Sequence, residues 1–174
     1  MRIQGAVLRT AGVSRPYVDG PALEVTELEL DAPGPGEVLV RIVAAGLCHS
    51  DLSVIDGSRI RPLPMLLGHE ASGVVERIGP GVTDVEAGDH VVLSYVPSCG
   101  RCVSCQSGRP ALCETAMVTN GAGTLPGGVR RLTLADGGES INHHLGVSAF
   151  ADHAVVSQAS LVRIDREARH FHLE

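Results

Sequence analysis

Apolar and polar positions along this chain alternate in short runs that glycine and proline repeatedly interrupt. Ile3 to Leu8 reads as a first strand. The loop through Gly12 to Pro21 turns the chain back toward Leu23 to Leu30, which can pair with it as an antiparallel hairpin with a long connection. Ala32-Pro33-Gly34-Pro35-Gly36 is a hard turn, because two prolines exclude helix and two glycines admit positive φ. It delivers Glu37 to Ala44, where Val38, Val40 and Ile42 share one face and Leu39, Arg41 and Val43 the other. So few polar residues on either face predict a strand that is largely covered.

Gly46-Leu47-Cys48-His49-Ser50-Asp51 follows, and Leu52 to Ile55 completes a short helix that Gly57 ends. After Arg61-Pro62-Leu63-Pro64 come Gly68-His69-Glu70 and the apolar run Gly73-Val74-Val75. Gly79-Pro80-Gly81 and Gly88-Asp89 are further turns, and His90 to Tyr95 is a strand candidate. From Glu114 to Asn142 the periodicity fades; Gly121 to Gly128 holds four glycines and a proline, which reads as a long, mobile excursion. Phe150 to Val156 and Leu161 to Ile164 restore a strand pattern. Short strands at this spacing predict a mainly β barrel or sandwich.

Composition narrows the field. The 174 residues suit one domain. Twenty-one glycines and ten prolines without a period agree with short elements and many turns. No apolar run approaches a membrane span and Met1 to Thr10 lacks a signal-peptide pattern, so the expected setting is cytoplasmic, without membrane contact. A net charge of -6 and very few aromatics argue against nucleic acid as a partner.

Four of the five cysteines fall in Cys99-Gly100-Arg101-Cys102-Val103-Ser104-Cys105 and, after seven intervening residues, Cys113. These intervals let a chain fold back and point four sulfurs at one centre, the tetrahedral thiolate arrangement that suits zinc. A closed four-thiolate site has no open position, so it would be structural. Two disulfides are the alternative, but the intervals are tight for independent loops. Cys48 stands apart from the cluster. A lone cysteine or histidine is usually structural, yet Cys48 in Cys-His-Ser-Asp and His69 in Gly-His-Glu both fall at predicted strand ends. One sulfur and one imidazole, with a further thiolate or carboxylate and a water, make an open site at which zinc acts as a Lewis acid on an alcohol or carbonyl oxygen.

Gly68-His69-Glu70-x-x-Gly73, with Gly79 and Val82 beyond it, resembles the signature of zinc-containing medium-chain alcohol dehydrogenases. Gly46 to Asp51, the cysteine series and Gly146 to Val156 resemble that family in the same order and intervals. The resemblance implies a GroES-like β-barrel catalytic domain with short helices and a structural zinc lobe, joined in complete enzymes to a Rossmann domain that binds NAD(P). It implies one catalytic zinc on Cys48 and His69 and one structural zinc on Cys99, Cys102, Cys105 and Cys113. Glu70 becomes a nearby carboxylate that approaches the metal, Ser50 takes the proton of the substrate alcohol, and Asp51 holds His69. His49 takes the place of a basic residue against the coenzyme pyrophosphate. The excursion at Gly121 to Asn142 resembles subfamilies acting on benzyl-type alcohols or on thiol adducts of formaldehyde. An oligomeric complete enzyme is compatible with the resemblance.

Plainer roles stand beside these. Ser50 can cap the following helix, Asp51 can be a first-turn acid favoured by the helix dipole, and Glu70 can form a surface ion pair. His49 can be solvated, and His143 and His144 read as surface loop residues. Ser53 stands where the family carries a further relay histidine. The chain reaches Glu174 before the family's third cysteine ligand, and no Gly-x-Gly-x-x-Gly follows a strand. The expectation is therefore a catalytic domain over 1–167, inactive without its coenzyme domain, with 168–174 an irregular, non-native tail in which His170 and His172 are poor substitutes for the missing ligand. The competing expectation is a non-enzymatic, zinc-stabilised barrel that serves as a binding or assembly module.

Overall fold

β1 (Arg2–Leu8) and β2 (Glu24–Leu30) pair antiparallel from Arg2 opposite Glu29 to Val7 opposite Glu24, the hairpin the apolar pattern predicts. The computed structural model describes residues 1–13, 16–17 and 22–165, so His170, His172 and the predicted 168–174 tail lie outside the described residues. β3 (Glu37–Ala45) follows the proline turn, and α1 (His49–Ile55) follows β3 directly. The short β4 (Met65–Leu66), then β5 (Ala71–Ile78) and β6 (His90–Leu93), lead into the cysteine segment. That segment holds α2 (Val103–Gln106) and α3 (Glu114–Ala122). β7 (Leu132–Leu134), β8 (Ser140–His143), β9 (His153–Ser157) and β10 (Leu161–Ile164) complete the described chain.

Strands β1, β2, β7, β8 and β4 close into a barrel, and a second sheet runs in the order β10-β6-β5-β3-β9. The Glu114 to Asn142 segment is thus not the mobile excursion its glycines suggest. It supplies a helix and the two strands that close the barrel. β7 bonds to β2, and β8 bonds antiparallel to β7 and parallel to β4. The glycines serve tight reversals between these elements; Gly123 ends α3 in the left-handed conformation, with φ 68°.

The first half of β3 is covered on both faces because it lies between two cores. Leu39 joins Ile3, Leu28, Leu66 and Ile141 in the barrel core, while Val38 and Val40 join Val75, Val91 and Val156 in the other. This is why both faces of the segment are apolar. Each such side chain contributes about 1.5–3 kcal/mol of burial. From Arg41 onward the strand emerges, and Arg41 meets Glu76 at 3.4 Å on the surface, so the predicted cover extends over half of the strand only. A third apolar group, Leu8, Val54, Met65 and Leu67, seats α1 on the barrel. At the start of β3 the buried Glu37 accepts from Arg131 Nε at 2.8 Å and from the Gly34 N–H at 2.7 Å, tying the proline turn to the segment before β7. Among the described residues no helix is long and apolar enough to cross a membrane.

Candidate functional site

The four sulfurs of Cys99, Cys102, Cys105 and Cys113 lie within 4.8 Å of one another, and all four are free thiols. They form one group, not the two pairs that disulfides would need. Two of them sit at helix starts: Cys102 precedes α2 and Cys113 precedes α3. Their side chains are therefore held where backbone N–H groups are unsatisfied. The Cys99 N–H donates to the Cys113 sulfur at 3.3 Å. The Arg101 N–H, the Thr115 hydroxyl and the Cys102 N–H hold the Cys99 thiol down to about 6. Burial and the neighbouring sulfurs push Cys105 up to about 12. One sulfur ionises at the expense of another when four share a site, and a divalent cation removes that conflict by letting all four coordinate as thiolates. The donor set, its closeness and its electrostatics fit zinc.

The second group is built at the junction of the barrel and α1. Cys48, at the start of α1, meets His69 and Glu70, which follow β4; their ligand atoms also lie within 4.8 Å of one another. Two glycines make that approach possible. Gly68 has φ 89°, and a side chain there would strike the Phe150 backbone. A side chain at Gly46 would strike the Glu70 carboxylate. Sulfur, imidazole and carboxylate are a set that zinc accepts, with room left for a further ligand.

Behind His69 stands Asp51, 3% exposed. Its carboxylate accepts from the Gly68 N–H at 3.0 Å and lies 3.3 Å from His69 Nδ1. That contact leaves His69 Nε2 facing Glu70, 4.0 Å away. Burial pushes the Asp51 carboxyl up, but His144, His69 and the Gly68 N–H outweigh it and hold the group far below the usual carboxylate range. Burial likewise pushes His69 down, yet Asp51 and then Cys48 leave it raised. Asp51 is thus both the first-turn acid of α1 and the residue that orients His69.

Cys48, Ser50, His69 and Glu70 line one cavity of about 490 Å³. Leu112 and Met117, from the cysteine lobe, form its other wall, and Arg59 and Arg61 border it. Ser50 does not cap α1, since Cys48 holds the cap position and makes no side-chain bond there. Glu70 is exposed, with Oε1 4.0 Å from His69 Nε2. His49 is exposed and outside the cavity lining; its Nδ1 lies 3.4 Å from Ser53 Oγ.

His143 and His144 are not surface residues. Both are buried, at 1% and 0% exposure, because β8 inserts between β4 and β7 and carries the pair inward. The Arg131 N–H donates to His143 Nε2 at 3.1 Å, and His144 Nδ1 lies 3.0 Å from Asp51 Oδ1. Reading the sequence missed the second contact, and no local spacing signals it. It depends on a parallel pairing between strands more than seventy residues apart.

Residues 34–166 match the family described as Alcohol dehydrogenase GroES-like domain. The chain is 40% identical over 155 residues to an S-(hydroxymethyl)glutathione dehydrogenase of Synechocystis sp., covering 88% of this chain and 42% of that protein. It is 42% identical over 165 residues to an NDMA-dependent alcohol dehydrogenase of Amycolatopsis methanolica, covering 95% of this chain and 42% of that protein. Among solved structures, an alcohol dehydrogenase zinc-binding domain protein from Burkholderia ambifaria superposes with a TM-score of 0.86 at 38% identity, over 97% of this chain and 43% of that one. The benzyl alcohol dehydrogenase of Acinetobacter calcoaceticus superposes at 0.82 and 36% identity, over 96% of this chain and 42% of its own. The chain thus spans 42% of the length of these curated relatives.

Proposed function

The chain belongs to the alcohol dehydrogenase GroES-like domain family, and from that membership we propose that it is the zinc-binding catalytic domain of an NAD(P)-linked alcohol dehydrogenase acting on a small alcohol or aldehyde. The observation that carries this reading is the convergence of Cys48, His69 and Glu70 on the floor of a cavity, apart from the four-thiolate group. A barrel that needed metal only for stability would have no use for a second donor set open to solvent.

When bound there, zinc supplies a Lewis acid that lowers the pKa of an alcohol and polarises a carbonyl. Cys48 and His69 would hold it on this reading, with Glu70 as the carboxylate beside them. Asp51 keeps the His69 tautomer that presents Nε2 to the cavity. Ser50 lines the cavity and takes the proton leaving the substrate hydroxyl. Leu112 and Met117, exposed at the cavity rim, offer apolar surface to the carbon skeleton. His49, on the solvent side of α1, is available to a coenzyme pyrophosphate. Residues 1–167 are the domain unit on this reading, and the setting is the cytoplasm, where the five thiols stay reduced.

Hydride transfer needs a nicotinamide fixed against the substrate carbon, which a coenzyme domain supplies. Residues 1–174 by themselves, loaded with zinc, are therefore expected not to oxidise alcohol with NAD or NADP. A chimera in which it replaces the matching part of the Burkholderia ambifaria protein is expected to reduce NAD or NADP with simple primary alcohols, and Ser50→Ala in that chimera to slow turnover by about 10²-fold or more. A folded, zinc-loaded chimera without turnover would count against the proposal.

A further inference from the structure

We infer that His144 is a positioning residue for the Cys48 and His69 metal site: it fixes the Asp51 carboxylate and, through it, both the His69 ring and the helix that carries Cys48. This rests on the function proposed above.

The geometry is specific. His144 Nδ1 lies 3.0 Å from Asp51 Oδ1, as close as the Gly68 N–H at 3.0 Å and closer than His69 Nδ1, which is 3.3 Å from Oδ2. The His144 ring also packs edge-on against the His69 ring, with centroids 5.1 Å apart and planes at 84°. His144 therefore bears on His69 twice, once through the shared carboxylate and once through direct ring contact.

The two ends of the Asp51 to His144 contact differ in how firmly they are held. His144 follows β8 directly, in the closed barrel. Its N–H donates to Ser148 Oγ at 2.8 Å, and that hydroxyl donates to the Leu66 carbonyl at 2.8 Å, locking the segment to β4. Asp51 sits on α1, only seven residues long, whose cap residue Cys48 makes no side-chain bond to the helix start. Val54 seats this helix against Leu8, Met65 and Leu67, and the cap adds no side-chain bond to that packing. Asp51 is its buried polar anchor, so the contact with His144 sets the rotation that aims Cys48 and Ser50 at the cavity. Second contacts of this kind decide how well a metal site is organised before the metal arrives.

The cost of His144 points the same way. It is 0% exposed, and neither ring nitrogen has a partner in hydrogen-bond geometry among the described residues; Nδ1 meets Asp51 as a 3.0 Å contact with its carboxylate. An unsatisfied buried nitrogen is unfavourable, and a phenylalanine or leucine would fill the space without it. What an apolar residue cannot supply is the Nδ1 nitrogen that stands 3.0 Å from the Asp51 carboxylate.

The test compares His144→Phe, which keeps an aromatic ring and loses the donor, with His144→Asn, which places an amide N–H near the position of Nδ1. Each chain is loaded with zinc and titrated with a competing chelator, and each is also loaded with cobalt(II), whose visible spectrum reports coordination geometry. His144→Phe is expected to weaken the Cys48 and His69 site by about tenfold or more, with the four-cysteine site unchanged. It should also broaden the cobalt bands of the weakened site, and His144→Asn should recover most of both effects. Combined with Asp51→Asn, His144→Phe should add little, because both act through one carboxylate.

Equal weakening of both sites, additive effects, or an indifferent His144→Phe would each overturn the inference and leave the proposed function standing. A wild-type chain without zinc at Cys48 and His69 would overturn both. Retention of the four-cysteine zinc shows in every variant that the chain has folded.

Discussion

Nδ1 of His69 lies 3.3 Å from Oδ2 of Asp51, and both side chains are almost wholly buried. The contact decides which nitrogen of His69 faces the cavity, and it keeps a negative charge directly behind a prospective cation. Asp51→Asn preserves the shape and removes the charge. It is predicted to lower zinc affinity at Cys48 and His69 by about 10–100-fold while the four-cysteine site keeps its metal. Chelator competition on the doubly loaded chain measures both sites in one titration.

The cysteine lobe should depend on its metal for order. Cys113 is 1% exposed and opens α3, and the Cys99 N–H donates to its sulfur. Cys113→Ser is predicted to lose one zinc and to speed tryptic cleavage at Arg101 by about an order of magnitude, as local opening replaces a closed loop. The barrel, whose core contains none of these cysteines, should keep its cooperative unfolding.

Buried Glu37 pairs with half-buried Arg131, Nε to Oε2 at 2.8 Å and Nη2 to Oε1 at 3.3 Å. Arg131→Ala leaves the carboxylate buried with only the Gly34 N–H as partner. The predicted cost is about 3 kcal/mol in urea unfolding, with the m-value unchanged. Replacing both members with apolar residues should cost much less than replacing either alone.

His143 makes stability depend on pH. Burial first, then the Arg130 and Arg131 charges, push its pKa down to about 3. In the unfolded chain it titrates at about 6.5, so as pH falls the unfolded state takes up the proton first. The contribution of His143 is therefore full above about 6.5 and is lost progressively toward about 3, with a slope approaching 1.4 kcal/mol per pH unit from this one group. Gln offers an oxygen to the Arg131 N–H without titrating. Unfolding free energies between pH 7 and pH 5 should fall less steeply in His143→Gln than in the wild type.

Much of this site is legible in the residues themselves. The four-cysteine group is a local feature, so spacing alone brings its sulfurs together. Cys48 and His69 become legible through the motifs around them, including Gly68, whose lack of a side chain the geometry requires. The strands β1 to β3 show in the apolar pattern because each has seven or more residues over which a period can register. β7 and β8, of three and four residues in a glycine-rich stretch, are too short to show one. His144 is illegible for a different reason: its burial and its partner follow from the pairing of β8 with β4, a contact that no neighbouring residue encodes.

Metal content of the purified chain tests the two-site reading most directly. Two zinc ions per chain are expected, with one lost in the double variant Cys48→Ser/His69→Gln and the other retained. One zinc per chain, unchanged by that double variant and removed only by substitution in the four-cysteine group, would contradict it and leave a metal-braced barrel without a catalytic centre.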